Sequence, residues 1–145
     1  MTRPTPNTLE SYPHRLTIQT RWNDNDIYGH VNNSVYYCYF DTVVNRWLID
    51  NDLLEIGKSD RIGLVVGTSC NFFAPMSFPD NIIAGLRAAK IGSSSVTYEI
   101  GLFRNDETTA SAQGAFTHVY VDEKTRRPMP ISDYMRERLK TIATA

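Results

Sequence analysis

Residues 21–40, RWNDNDIYGHVNNSVYYCYF, put Asp24, Asp26 and His30 in a loop with Gly29 and then pass directly into an aromatic-rich helical pattern. Beyond the loop, Val35, Tyr36, Tyr39, Phe40, Val43, Val44, Trp47 and Leu48 recur at spacings of three and four. That is the period of one long amphipathic helix with a broad apolar face, and Asn32 or Asn33 supplies a capping side chain at its start.

Before the loop, Leu16, Ile18, Thr20 and Trp22 alternate with Arg15, Thr17, Gln19 and Arg21, so residues 15–22 read as a half-buried strand. After the helix, 61–73, 81–92, 95–104 and 109–122 are rich in Val, Ile, Phe and Tyr and are divided by PMSFPDN, GSSS and RNDE. These are four further strands. Most of their connections are too short for crossover helices, which predicts antiparallel pairing. A short helix over 132–142 carries Tyr134, Met135, Leu139 and Ile142. One strand, a long helix, four strands and a short helix make an α+β arrangement in which the sheet buries its apolar face by curling around the helix. A single helix covers such a sheet incompletely, and the remaining edge or face invites a second subunit.

The chain of 145 residues has the length of one domain. Pro4, Pro6 and Pro13 in a segment of low apolar content predict a flexible lead-in over 1–13, with a single domain over 14–145. Lys and Arg total 15 against 16 for Asp and Glu, a formal charge of -1, so no general attraction to nucleic acid or to an anionic membrane is expected. Neither a signal-peptide pattern nor an apolar run of membrane-spanning length occurs, and a cytoplasmic location is expected. The two cysteines, Cys38 and Cys70, lack disulfide or zinc spacing and are expected to be reduced and buried.

The loop admits three readings. D-N-D-I-Y-G opens like a calcium loop, yet Tyr28 and Val35 occupy the fifth and twelfth positions, where oxygen ligands are required. A transition-metal site needs three or four converging ligands, and His14 and His118 show no HxH or HExxH spacing, so no metal and no cofactor are expected. Asp24 fits an Asx-rich turn. Asp26 lies a few residues before the helix start, near N–H groups that carry the positive end of the helix dipole. A base beside an oxyanion-binding end suits acyl transfer. No G-x-S-x-G elbow, Ser-Lys signature or phosphate-binding glycine loop competes with it.

Taken together, the strand, the loop D-x-D-x-x-G-H-V-N-N-x-x-Y and the long helix resemble the hotdog-fold acyl-CoA thioesterases of the 4-hydroxybenzoyl-CoA thioesterase type. The resemblance runs from about His14 to Asp122 and includes F-x-x-P-x-x-F-x-D ending at Asp80 and K-x-G-x-S-S at Lys90 to Ser95. It implies a five-stranded antiparallel sheet wrapped around the helix, acyl-CoA as substrate, and a homodimer, often paired into a homotetramer, with active sites between subunits. The family's catalytic carboxylate falls on Asp26, and its oxyanion N–H on the backbone of Asn33. Many relatives carry His or Tyr there; Asn33 departs from them and leaves the backbone role intact.

Thioester hydrolysis would then proceed with Asp26 as general base for water or as nucleophile forming a mixed anhydride. His30 either orients the carboxylate and substrate or serves packing. Asp41, a helix carboxylate, is expected to be a solvated group. Lys90, Ser94 and Ser95 offer a cation and hydroxyls for coenzyme A, with Arg87 a weaker candidate, and a plain turn predicts the same residues. Tyr36, Tyr39, Phe40 and Trp47 read as core, with first-turn members such as Tyr36 available to wall an acyl pocket. The alternatives are a non-catalytic acyl-CoA or lipid-binding module, and hydratase chemistry, whose Asp-His arrangement is not found in the helix region.

Overall fold

The computed structural model describes residues 4–54, 57 and 60–144. Five strands form one antiparallel sheet: β1 (His14–Gln19), β2 (Arg61–Phe72), β3 (Asn81–Ile91), β4 (Ser95–Arg104) and β5 (Ala112–Asp122), in the order β1-β3-β4-β5-β2. The long helix α1 (Asn33–Asp50) lies between β1 and β2 in sequence, and α2 (Asp133–Lys140) closes the chain.

The predicted helical stripe is the core. Tyr36, Tyr39, Phe40, Val43, Val44, Trp47 and Leu48 are all buried on α1, packed with Ile82, Leu86, Tyr98, Ile100 and Leu102 from β3 and β4. Each such side chain taken out of water stabilises the fold by about 1.5–3 kcal/mol. Asn32 caps the helix by accepting the Ser34 N–H at 2.9 Å, and Ser132 caps α2 by accepting the Met135 N–H at 3.1 Å.

Three expectations change. The first strand ends at Gln19, because Thr20 turns to bond Asp80 and Trp22 begins a 3-10 turn (Trp22–Asp24), leaving its indole 74 % exposed instead of buried. Packing also starts before His14. Leu9–Ser11 forms a 3-10 turn, Leu9 N–H donates to Thr108, and Tyr12 is fully buried on the outer face of the sheet against Phe103. Its ring lies where Gly85 and Gly101 leave room, since a Cβ at either position would stand 2.7 or 2.5 Å from it. Arg87 covers the ring from 5.0 Å, so the lead-in expected to be flexible is docked by an aromatic anchor. Finally, Cys38 is exposed on α1, on the face opposite the core stripe; Cys70 is half-buried, and burial pushes its thiol up to about 12.

β2 is a sheet edge, and along it Leu64, Val65, Val66 and Phe72 are at least two-fifths exposed. Its pairing with β5 is interrupted by a bulge between Val65 and Gly67.

Candidate active site

Thr20 leaves β1 and donates its Oγ1–H to Asp80 O at 2.6 Å, which ties the start of the loop to the start of β3. Asp80 is itself held by the Ser77 N–H (3.0 Å), Arg104 (2.8 Å) and Asn105 (3.2 Å). The last residue of the F-x-x-P-x-x-F-x-D run is therefore a clamp. Burial would raise its carboxyl pKa, but these donors outweigh burial and hold it below the usual range.

Asp24 is 1 % exposed. Its carboxylate accepts the Arg21 N–H (2.9 Å), the Arg21 Nε and Nη2 (3.1 and 2.9 Å) and the Tyr39 hydroxyl of α1 (2.8 Å). Burial opposes ionisation here too, and the same donors win, so its pKa is lowered. Burial, and next the bond to Asp24, push the Tyr39 hydroxyl far upward. The Asp24 carbonyl also takes the Asn32 N–H at 2.8 Å. What the sequence presents as a turn residue is thus the peg that fixes the loop to the first two turns of α1.

Asp26, two residues on, is only half-buried and accepts one hydrogen bond, from the Tyr28 N–H at 2.9 Å. Its N–H donates to His30 O at 2.9 Å and its carbonyl accepts the Gly29 N–H at 3.0 Å. Gly29 adopts φ 79°, the left-handed conformation that favours glycine. Most of the Asp26 carboxylate's acceptor capacity remains free.

Beside this turn lies a cleft of about 330 Å³, lined by His30, Val31, Asn33, Tyr36 and the 72–75 run. Val31 is pinned by its N–H to Met76 O at 2.8 Å, and Tyr36 packs edge-on to Phe72 with ring centres 4.9 Å apart. The first helical N–H groups have no partner within a helix. Asn32 takes those of Ser34 and Val35. Among the described residues nothing takes that of Asn33, a residue that lines this cleft. The Phe72–Pro75 wall was not singled out as site by the sequence, although Phe72 and Pro75 are fixed positions of the F-x-x-P-x-x-F-x-D motif.

The chain resembles known proteins over most of its length. The model of the thioesterase-like superfamily matches residues 20–139. The chain belongs to this family. It is 46 % identical to the PA5185 protein from Pseudomonas aeruginosa strain PAO1, covering 97 % of this chain and 98 % of that one, with a TM-score of 0.94. A thioesterase from Thermus thermophilus, solved with coenzyme A and Zn, is 29 % identical over 92 % of this chain and 96 % of that one, TM-score 0.76. Slr0204, a 1,4-dihydroxy-2-naphthoyl-CoA thioesterase from Synechocystis, shares the fold at 18 % identity, 87 % and 94 % coverage and TM-score 0.79. No curated protein matches the chain. The sheet wrapped around α1 is accordingly the hotdog fold.

The thioesterase-like site residues do not all meet within one chain. His30, Asn33 and Tyr36 line the cleft at the N-terminal end of α1, while Asp26 lies in the adjoining turn, tied to His30 through the backbone and outside the lining. Lys90, Ser94 and Ser95 lie at the β3–β4 turn, by the other end of α1. There Tyr134 and Arg138 of α2 bond Asn51, just past α1, and Arg136 bonds Gly92 O at 3.1 Å. The turn's carbonyls are also occupied: Ser94 O accepts the Tyr120 N–H (2.7 Å) and Ser95 O the Gly92 N–H (2.8 Å). Lys90 itself is exposed. Arg87, the weaker candidate, bonds Glu99 (2.9 Å) and Ser11 O and lies over the Tyr12 ring. Asp41 accepts the Asn45 side-chain N–H at 2.9 Å. Among the described residues no three His, Cys, Asp or Glu side chains converge, and no helix is long and apolar enough to cross a membrane.

Proposed function

We propose that this protein hydrolyses acyl-CoA thioesters in the cleft at the N-terminal end of α1. The observation that carries the reading is an apolar cleft lined by Asn33, whose N–H is uncommitted, next to the turn in which Asp26 keeps an unsaturated carboxylate just outside the lining. The thioester carbonyl oxygen accepts the Asn33 N–H, aided by the helix dipole, and the charge that develops on that oxygen is stabilised there. Asp26 either removes a proton from the attacking water or attacks the carbonyl itself to give a mixed anhydride that water then opens. In both routes the C–S bond breaks, coenzyme A leaves as thiolate and takes up a proton, and the free acid is released. Tyr36 and Phe72 form an apolar wall for the acyl group, and His30 borders the same space. The coenzyme A-bound relative from Thermus thermophilus supports the choice of carrier.

The active unit is a homodimer or homotetramer. In support, β2 ends the sheet with unpaired backbone groups and exposed Leu64, Val65 and Val66, an edge that proteins leaving it free normally protect by charge or proline. Pairing two copies along β2 would bring the second copy's groups to the cleft, giving Lys90, Ser94 and Ser95 a route to the coenzyme A that they lack within one chain.

The deciding measurement is thiol release from short, medium, long and aromatic acyl-CoAs by the wild type and by Asp26→Asn and Asp26→Ala. Loss of turnover with the fold retained is expected. Unchanged hydrolysis by both variants would overturn the assignment of Asp26, and tight acyl-CoA binding without thiol release by the wild type would replace the enzyme with a binding module. A single turnover in ¹⁸O-water that leaves label in the Asp26 carboxylate establishes the anhydride route, because only water opening the anhydride at the Asp26 carbonyl puts it there.

A further inference from the structure

Of five buried side-chain nitrogen and oxygen atoms without a close hydrogen-bond partner among the described residues, four cluster in one place: Arg61 Nε, His118 Nδ1 and the hydroxyls of Tyr98 and Tyr120, which stand near enough to interact with each other but face no other partner. Folded proteins satisfy nearly all such atoms, so a local concentration of exceptions points to a missing partner. Beside them is a cavity of about 230 Å³ between the C-terminal half of α1 and the paired ends of β2 and β5, lined by Asn45, Leu48, Ile62, Gly63, His118 and Tyr120. His118 is 3 % exposed, and its imidazole is braced edge-on by Phe116, Tyr120 and Tyr98 with ring centres 5.0 to 6.0 Å away. Gly63 keeps the approach open: a Cβ there would stand 3.1 Å from His118 Nδ1 and 3.3 Å from the Tyr120 ring.

The chemistry of the walls selects the guest. Burial holds His118 down to about 4, with Asp41 opposing, so the imidazole is uncharged at neutral pH. Burial pushes Tyr120 up to about 12, so its hydroxyl keeps its proton. Arg61 on one side and Asp41 on the other leave no single sign of charge to recruit an ion. Leu48, Leu53, Leu54 and Ile62 supply apolar surface. The volume exceeds the roughly 150 Å³ that holds benzene in a dry cavity, leaving room for a substituent. This cavity is also separate from the cleft, since Tyr36 and Leu48 are about 18 Å apart along the helix axis.

We propose that this cavity is a binding pocket for an uncharged hydroxylated ring, or a hydroxylated chain end of like bulk, whose hydroxyl bonds His118 Nδ1 and Tyr120 OH. The pocket stands whether or not the protein is a thioesterase. Its guest comes as a free small molecule or as the far end of an acyl group.

The test is titration of the full chain with p-cresol and with toluene, followed by the His118 side-chain ¹⁵N resonances and by calorimetry. Saturable p-cresol binding that moves the His118 resonances, at least tenfold tighter than toluene, is expected. Gly63→Val abolishes it, and Tyr120→Phe, which removes only the hydroxyl, weakens p-cresol about tenfold and leaves toluene unchanged. No saturable binding, equal binding of both probes, or p-cresol binding that Tyr120→Phe does not alter overturns the proposal. The source follows from kcat/KM on paired aryl-CoA substrates with and without a ring hydroxyl. If Tyr120→Phe lowers the preference for the hydroxylated member, the guest is the acyl group; if the preference is unchanged while p-cresol binding falls, the guest is a free molecule.

Discussion

The two ends of α1 handle polar groups in opposite ways. At the N-terminal end the backbone N–H of Asn33 and the carboxylate of Asp26 stay under-used and open to solvent beside an apolar cleft. At the C-terminal half, His118, Tyr98 and Tyr120 are buried, and His118 Nδ1 has no partner among the described residues. A charge can be held at low cost only where water or a dipole still solvates it, so the first end suits the proposed ionic chemistry and the buried pocket suits the proposed neutral guest. Within the first end the contrast repeats on a smaller scale. Asp24 is saturated with donors and does structural work, whereas Asp26, two residues later, has spare lone pairs and is free to act on a substrate.

The sharpest way to break this division is Asp26→Ala. Its kcat on acyl-CoA is expected to fall by about 10²–10⁴ while the melting temperature stays within about 2 °C of wild type. A large loss of stability would move Asp26 into the structural class with Asp24.

The buried end makes a pH prediction. The folded pKa of His118 is depressed to about 4, and the unfolded value is about 6.5, so the unfolded chain binds a proton in the window between them that the folded chain refuses. The stabilisation is complete above about pH 6.5 and is lost as pH falls toward 4, on the order of 3 kcal/mol in all. Urea unfolding at pH 7.5 and 4.5 measures it, and His118→Gln is expected to flatten the slope. Asp24 and Asp80, whose pKa values are lowered, begin to withdraw their own stabilisation only below the ordinary carboxylate range of about 4.

Asp24→Ala tests the saturated carboxylate. It strands the buried Tyr39 hydroxyl and is expected to cost about 2 kcal/mol in denaturant unfolding, much less when Tyr39 is already Phe. A cost of the same size in both backgrounds would mean that the Asp24–Tyr39 bond contributes nothing. The smallest effect is expected at Lys90, exposed and far from the cleft within one chain: Lys90→Ala should raise KM for acyl-CoA a few-fold with kcat unchanged, the signature of lost ground-state binding. No change in KM would leave Lys90 as turn chemistry alone.

The helix, the five strands and the short terminal helix were legible because each depends on a local period. Val96, Tyr98, Ile100 and Leu102 alternate, and all four are buried. That Asp26 stands in the loop just before the helix, and Asn33 at the helix start, was legible from where the apolar period begins. Trp22 was misread because an alternating pattern does not announce the hydrogen bond that ends it, here from Thr20 to Asp80, sixty residues away. Tyr12 escaped notice because its slot is made by Gly85 and Gly101, neighbours only through the pairing of β3 with β4.

By itself the sequence determined the secondary elements, the apolar face of α1 and the family, since these rest on spacing between near neighbours. Only the tertiary structure decided that Asp24 is buried and Asp26 is not, that Lys90 lies away from the cleft, and that His118 closes a pocket with Tyr120. The physical reason is that burial and pairing arise from strand register and packing between segments distant in sequence, and no local period encodes them.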